Sequence, residues 1–247
     1  MGKGRPRNYS SALARWVAAC HNGRITTAFR RSATECPTIP VTVRGDYICP
    51  WCYVGEARLK ALSNEFDLRI THKSFLLRPD LPDEGIEHQA RPGETPGELS
   101  GHLKAQALDA DLTHMRRPRR TPNTLKALQV TVHARQQGKG AEVHDELFRV
   151  YWDEGEDVGQ PEVIRKVLES QGIFWGPVEA ALNENAYLDT VLGEYQEALD
   201  IGFEGVPAFV FGNLGFTGAQ PMHVFRAVAQ RARDALVADP GAFEPKP

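Results

Sequence analysis

Ile39, Val41 and Val43 alternate with less apolar neighbours ahead of Tyr47, which predicts a short strand over residues 39–47. The period then changes. Leu59, Leu62 and Phe66 recur at helical spacing, with Tyr53, Ala57 and Ala61 alongside, predicting a helix that opens at Cys49. Asp67 to Phe75 alternates again and reads as a second strand. Strand, helix and strand at this spacing predict a parallel βαβ unit.

Pro79 to Pro96 carries four prolines and reads as loop. From Glu98 to about Leu199 the pattern is helical: Thr121-Pro122 opens one helix, and Val143, Leu147 and Val150 stripe the next. Pro161 suits a first helical position, Val163, Ile164, Val167 and Leu168 follow as a stripe, and Gly172 ends it. Leu188, Val191, Leu192, Tyr195 and Leu199 mark the last helix of this block. Val206 to Phe211 is then a compact apolar run, Gly212 to Gly215 is turn material, and Phe216-Thr217 starts a returning strand. Val224, Phe225, Val228 and Ala232 stripe a final helix. The predicted order is β-α-β, a helical insertion, then α-β-β-α.

The 247 residues carry a net charge of −3, unevenly spread. Residues 1–40 hold seven basic side chains against Glu35 alone, which leaves the body at −9 with 22 basic and 31 acidic residues. That balance argues against a nucleic-acid-binding body. No run approaches the roughly 18 apolar residues of a membrane span. Residues 1–38 read as a basic, disordered extension. The apolar run Ala12–Cys20 is broken by Arg15, so it matches neither a secretory signal nor a lipoprotein box well. A cytoplasmic location is the expectation.

Cys49-Pro50-Trp51-Cys52 falls where the first strand turns into the first helix. A thiolate at a helix N-terminus faces unpaired N–H groups and the positive end of the macrodipole, which lower its pKa. Residues i and i+3 have Cβ atoms about 5–6 Å apart, whereas a disulfide wants about 3.5–4.5 Å. Bridging therefore tightens the turn and favours a reducible bond over a structural one. In such motifs the first sulfur, here Cys49, stays exposed and attacks, while the helix shields Cys52. Pro50 suits the first helical position, where no N–H partner is needed. Trp51 lies between the thiols, placed to cover the sulfur or meet substrate.

Other chemistries fit less well. A CxxC that is half of a zinc site needs a second pair, and Cys20 and Cys36 stand alone upstream. The eight histidines show no ligand spacing, so no metal is expected. Arg116 to Arg120 reads as a solvated loop rather than an anion site, and Phe148, Tyr151 and Trp152 as core.

The element order, with CxxC at the first helix and Val206-Pro207 opening the third strand, resembles the DsbA-like thiol oxidoreductases, specifically the FrnE-like branch. The matching residues are Asp46 to Gly55, Phe75, Pro79 to Pro82, Pro122 to Thr124, Leu147-Phe148, Tyr151, Glu154-Gly155, Gly205 to Pro207 and Gly218 to Pro221. They run in the family's order through residues 39–236. Arg78 stands where that branch carries asparagine, and Leu125 to Leu128 lacks its usual histidine. No second cysteine pair follows near the C-terminus.

The resemblance implies an α/β, thioredoxin-like fold with an inserted all-helical domain. Residues 39–78 and 187–237 would form the discontinuous thioredoxin-like domain, residues 79–186 the insertion and residues 238–247 a tail. It also implies a cis Val206–Pro207 bond opposite the Cys49 loop, with the strand end at Val206 free to pair with extended substrate. The expected function is thiol–disulfide exchange, with Cys49 and Cys52 catalytic and Pro50, Trp51, Val206 and Pro207 at the substrate. That substrate is a protein or small-molecule thiol or disulfide. No bound cofactor is expected beyond the Cys49–Cys52 pair, with glutathione as a candidate co-substrate. The runner-up is a glutathione-dependent isomerase or transferase of the 2-hydroxychromene-2-carboxylate isomerase type, which needs no resolving cysteine. A non-catalytic peptide-binding module is the third reading.

Overall fold

The computed structural model describes residues 37–88 and 95–244. The basic extension with Cys20 and Cys36 lies outside the described residues, apart from its last two positions, as does part of the proline-rich loop. β1 (Ile39–Gly45) leads through a turn, closed by the Cys49 N–H on the Asp46 carbonyl at 3.0 Å, into α1 (Pro50–Leu62). β2 (Leu68–Ser74) returns parallel to β1, with Ile39 opposite Leu68 and Gly45 opposite Ser74. β5 (Ala208–Phe211) pairs antiparallel with the other edge of β1, and β6 (Leu214–Thr217) pairs antiparallel with β5. The sheet order is β2-β1-β5-β6. Gly212 and Asn213 make the two-residue hairpin turn, and Gly212 takes a φ of 63° that a side chain would resist.

Between β2 and β5 lie α2 (Gly101–Asp109), α3 (Leu125–Gln136), α4 (Gly140–Arg149), α5 (Pro161–Ser170), α6 (Trp175–Asn183) and α7 (Leu188–Asp200). α8 (Met222–Ala238) closes the fold. The intervening block is not purely helical. β3 (Ile86–Glu87) pairs antiparallel with β4 (Arg120–Thr121), where the sequence pattern gives only loop. The Arg120 guanidinium ties this ladder down by donating to the Glu84 carbonyl at 2.5 Å. The helix expected at Thr121-Pro122 starts at Leu125 instead, because the Asn123 carboxamide accepts the Leu125 N–H at 3.0 Å. α4 runs into one π-helical turn, Val150–Glu154, which ends at Gly155 with a φ of 81°.

Two apolar cores result, and α1 belongs to both. Leu59 and Leu62 pack with Ile39, Val41 and Val43 of β1, Phe209 and Phe211 of β5, and Phe225 and Ala229 of α8. Each such side chain stabilises by about 1.5–3 kcal/mol through its burial. Cys49, Cys52 and Val54, one to three turns earlier, join Leu147, Phe148 and Trp152 of the helical block. Phe148, Tyr151 and Trp152 are core residues, each under 5 % exposed. The opposite sheet face meets α7: the buried Arg44 guanidinium donates to the Glu194 carbonyl at 3.3 Å, and the Glu194 carboxylate accepts the Ser74 N–H at 2.7 Å. The N-terminal turn of α1 is thus pressed between sheet and helical block.

Candidate active site

The strand-to-helix turn sets Cys49 at the N-cap of α1, in extended conformation (φ −85°, ψ 112°), with Pro50 as the first helical residue. Proline there forfeits no hydrogen bond and fixes the entry angle. The Cys52 N–H donates to the Cys49 carbonyl at 3.1 Å, and the Cys52 side chain and the Cys52 and Trp51 N–H groups all favour the Cys49 thiolate. The hydrogen bond from Cys52 lowers the Cys49 pKa most; burial opposes it. Cys52 behaves oppositely. Burial first, and then its hydrogen bond to Cys49, hold its thiol well above the ordinary range. Two like groups one helical turn apart are thereby split into an ionisable thiol and a protonated one.

Cys49 lies deeper than the sequence reading expects. It is 4 % exposed and Cys52 is 1 % exposed. The motif alone leaves the first sulfur open; here Cys49 belongs to the apolar core shared with the helical block, and the Val206 carbonyl lies 3.6 Å from its sulfur. Both cysteines are thiols.

The Val206–Pro207 peptide is cis, and its strand brings the Val206 carbonyl oxygen to 3.6 Å from the Cys49 Sγ, where the thiol donates. The Pro207 carbonyl is already taken by the Gly218 N–H at 2.7 Å. Pro207 is buried beneath α1, where Gly55 lets the helix approach: a Cβ at Gly55 would meet Phe209 Cζ at 2.8 Å and Pro207 Cγ at 3.3 Å. Trp51 is half-buried and its ring lies 5.5 Å from that of His102 on α2, centroid to centroid. Cys49, Pro50, Trp51, Cys52, Val206 and Pro207 therefore gather at one place. Arg78, by contrast, is exposed and paired with Asp80 at 3.0 Å, and Arg120 pairs with Asp157 at 3.5 Å.

Asp46 is a contributor that sequence reasoning leaves inside a motif without a role. It is 1 % exposed, accepts the Leu77 N–H at 2.8 Å and the Ile48 N–H at 3.3 Å, and its charge acts on both thiols. Burial raises its pKa to about 6, against those hydrogen bonds. Ionised Asp46 opposes thiolate formation at Cys49 and Cys52 alike.

A second cluster escaped the sequence reading altogether. Glu56 on α1, His72 on β2 and His144 on α4 meet with their ligand atoms all within 4.8 Å of one another. The two imidazoles stack with centroids 3.9 Å apart, and Phe148 packs edge-on against His144 at 4.9 Å. Residues 16 and 72 positions apart, on three elements, leave no local spacing to read.

An arrangement with one stabilised thiolate, one shielded thiol a helical turn away and a backbone carbonyl beside the first sulfur can form and break a disulfide within a single motif. The comparisons with known proteins agree with that frame. Residues 41–230 match the DSBA-like thioredoxin domain family. The chain is 26% identical over 194 residues to the uncharacterized protein YwbO of Bacillus subtilis (strain 168), covering 76% of this chain and 94% of that one. Among solved structures, it is similar to the probable DsbA oxidoreductase SCO1869 from Streptomyces coelicolor, with 26% identity, a TM-score of 0.70 and 85% and 92% of the two chains covered. A 2-hydroxychromene-2-carboxylate isomerase shares the fold at 17% identity, with a TM-score of 0.64 and coverage of 81% and 98%. The chain has a thioredoxin-like α/β fold and belongs to the DSBA-like thioredoxin domain family.

Proposed function

We propose that this protein is a thiol–disulfide oxidoreductase in which Cys49 is the nucleophile and Cys52 the resolving thiol. The observation that carries this reading is the placement of the two sulfurs: Cys49 at the N-cap of α1, 3.6 Å from the Val206 carbonyl at the cis Val206–Pro207 bond, with Cys52 buried one turn behind it. Burial holds the Cys52 thiol up while the Cys49 pKa is lowered. In the reducing direction the Cys49 thiolate attacks a substrate disulfide, forms a mixed disulfide and expels one substrate thiolate, which takes up a proton. Cys52 then loses its proton and attacks the Cys49 sulfur, releasing the second substrate thiol and leaving the Cys49–Cys52 disulfide. The oxidising direction is the reverse, with a substrate thiolate attacking the bridge.

The Val206 carbonyl beside Cys49 is the backbone group to which an extended peptide pairs, and Trp51, the residue after Pro50, packs its ring 5.5 Å from that of His102. The dithiol is itself the redox group, and no further cofactor takes part in the exchange. A glutathione-dependent isomerase would use Cys49 alone, and the hydrogen bond from Cys52 to Cys49 favours the dithiol reading over it.

The test is turnover of a model peptide disulfide by the wild type, Cys49→Ser and Cys52→Ser. Cys49→Ser should be inactive. Cys52→Ser should accumulate a mixed disulfide with substrate, seen by mass, and turn over poorly. Full turnover by Cys52→Ser would overturn the dithiol mechanism and leave a single-thiol reaction.

A further inference from the structure

We propose that Glu56, His72 and His144 form a binding site for a divalent first-row transition-metal ion, Zn²⁺ first among them. Two imidazoles and a carboxylate are the donor set such ions take, with a fourth position left for water.

The convergence of three donor side chains from three elements, all within 4.8 Å of one another, carries the argument, and one hydrogen-bond arrangement around His144 suits it. In the arrangement where the Thr131 hydroxyl donates to the Ala127 carbonyl at 2.9 Å, its oxygen accepts from the Tyr47 hydroxyl at 2.5 Å. The Tyr47 oxygen then accepts from His144 Nδ1–H at 3.1 Å. With its proton on Nδ1, neutral His144 aims the lone pair of Nε2 at Glu56 Oε1, 3.2 Å away. Two acceptors facing each other in a buried site repel unless a cation stands between them. A proton on both nitrogens would make His144 an imidazolium 3.9 Å from the His72 ring, centroid to centroid.

Distances point the same way. His72 Nε2 lies 3.3 Å from Glu56 Oε2, and His144 Nε2 lies 3.2 Å from Oε1. A charge-assisted N–H···O contact is shorter, about 2.7–2.9 Å. Ligand atoms at about 2.0–2.1 Å from a tetrahedral ion are separated by roughly 3.3–3.4 Å. The contact from His144 Nδ1 to Tyr47 is the outer hydrogen bond that fixes tautomer and ring plane in histidine metal sites.

The cluster is reachable. Glu56 and His72 side chains are each 12 % exposed, and Glu56 lines a cavity of about 350 Å³ with Tyr53, Lys60, Asp145 and Asp153. Asp145 lines the same cavity, with Lys60 partnering it at 3.1 Å, while Arg135 of α3 donates to the His72 backbone carbonyl at 2.5 Å. The ion would join α1, β2 and α4 at one point, one helical turn beyond Cys52.

The experiment is titration of the metal-stripped, untagged full chain carrying Cys49→Ser and Cys52→Ser, so that the dithiol cannot bind metal. Zn²⁺ is followed by calorimetry and Co²⁺ by visible absorption. One ion per chain should bind at micromolar protein, with Co²⁺ d–d bands and no sulfur-to-cobalt charge-transfer band. His72→Ala should weaken binding by at least about 100-fold and Tyr47→Phe by about 10-fold. Glu56→Gln, which keeps volume and hydrogen bonding, should weaken it comparably to His72→Ala with an unchanged near-UV spectrum of the metal-free protein. No stoichiometric binding, a charge-transfer band showing sulfur ligands, or binding undiminished in both His72→Ala and Glu56→Gln would overturn the site.

Discussion

The Cys49 Sγ lies 3.6 Å from the Val206 carbonyl oxygen, across 157 positions of sequence. The thiol donates to that carbonyl, while its thiolate is held instead by the Trp51 and Cys52 N–H groups and the Cys52 side chain. Ionisation of Cys49 therefore exchanges one set of partners for another and removes the donor from the Val206 carbonyl.

The Cys52 side chain is the largest influence lowering the Cys49 pKa. Cys52→Ser keeps a donor at that position and Cys52→Ala removes it. The Cys49 pKa, read from thiolate absorption or alkylation rate against pH, should be higher in Cys52→Ala than in Cys52→Ser. Equal values would show that the helix N-terminus alone stabilises the thiolate.

Asp46 has its pKa raised to about 6 from 3.8 by burial. Both states are protonated below about pH 4, so its carboxyl costs no stability there. Between about pH 4 and 6 the unfolded state ionises while the folded state keeps its proton, so stability is lost across that window and levels off above it. Asp46→Asn should match the wild type near pH 4 and exceed it by about 2–3 kcal/mol at pH 8 in denaturant melts, less the weakened hydrogen bonds to Leu77 and Ile48. The same variant should lower the Cys49 pKa, because the Asp46 charge opposes the thiolate.

Gly55 is where α1 crosses the Pro207 strand. Its Cβ-free surface faces Phe209 Cζ, which an added Cβ would meet at 2.8 Å, and Phe209 is fully buried. Gly55→Ala should cost about 1–3 kcal/mol despite its better helix propensity. A rise in the denaturation midpoint would contradict this packing.

Arg58 is 3 % exposed and donates to the Ala219 carbonyl at 2.7 Å, the Gln220 carbonyl at 3.1 Å, and Gln106 and Asp109 at 2.8 Å each. It ties the active-site helix to the entry of α8 and to α2. Arg58→Met keeps the apolar stem and removes the donors, and it should cost about 2–3 kcal/mol in denaturant melts.

The strand and helix periods made the sheet and α1 legible, because those elements carry one-sided apolar faces: Val41 and Val43 inward on β1, Leu59 and Leu62 on α1. The cysteine turn was legible for the same local reason, since four consecutive residues carry it. The burial of Cys49 was not, because it comes from packing against distant segments, among them Val206, whose carbonyl lies 3.6 Å from its sulfur. The pairing of Ile86 with Thr121 depends on two residues, too few to show a period. The meeting of Glu56, His72 and His144 is set by the docking of three elements, and no pattern along the chain encodes it.

The central claim is that Cys49 and Cys52 act as one redox pair, and their equilibrium across a glutathione series tests it most directly. Thiol alkylation and mass should show a single cooperative two-electron transition between reduced and bridged forms, at roughly −120 to −270 mV. Independent glutathionylation of Cys49, with no reversible bridge to Cys52, would contradict the account.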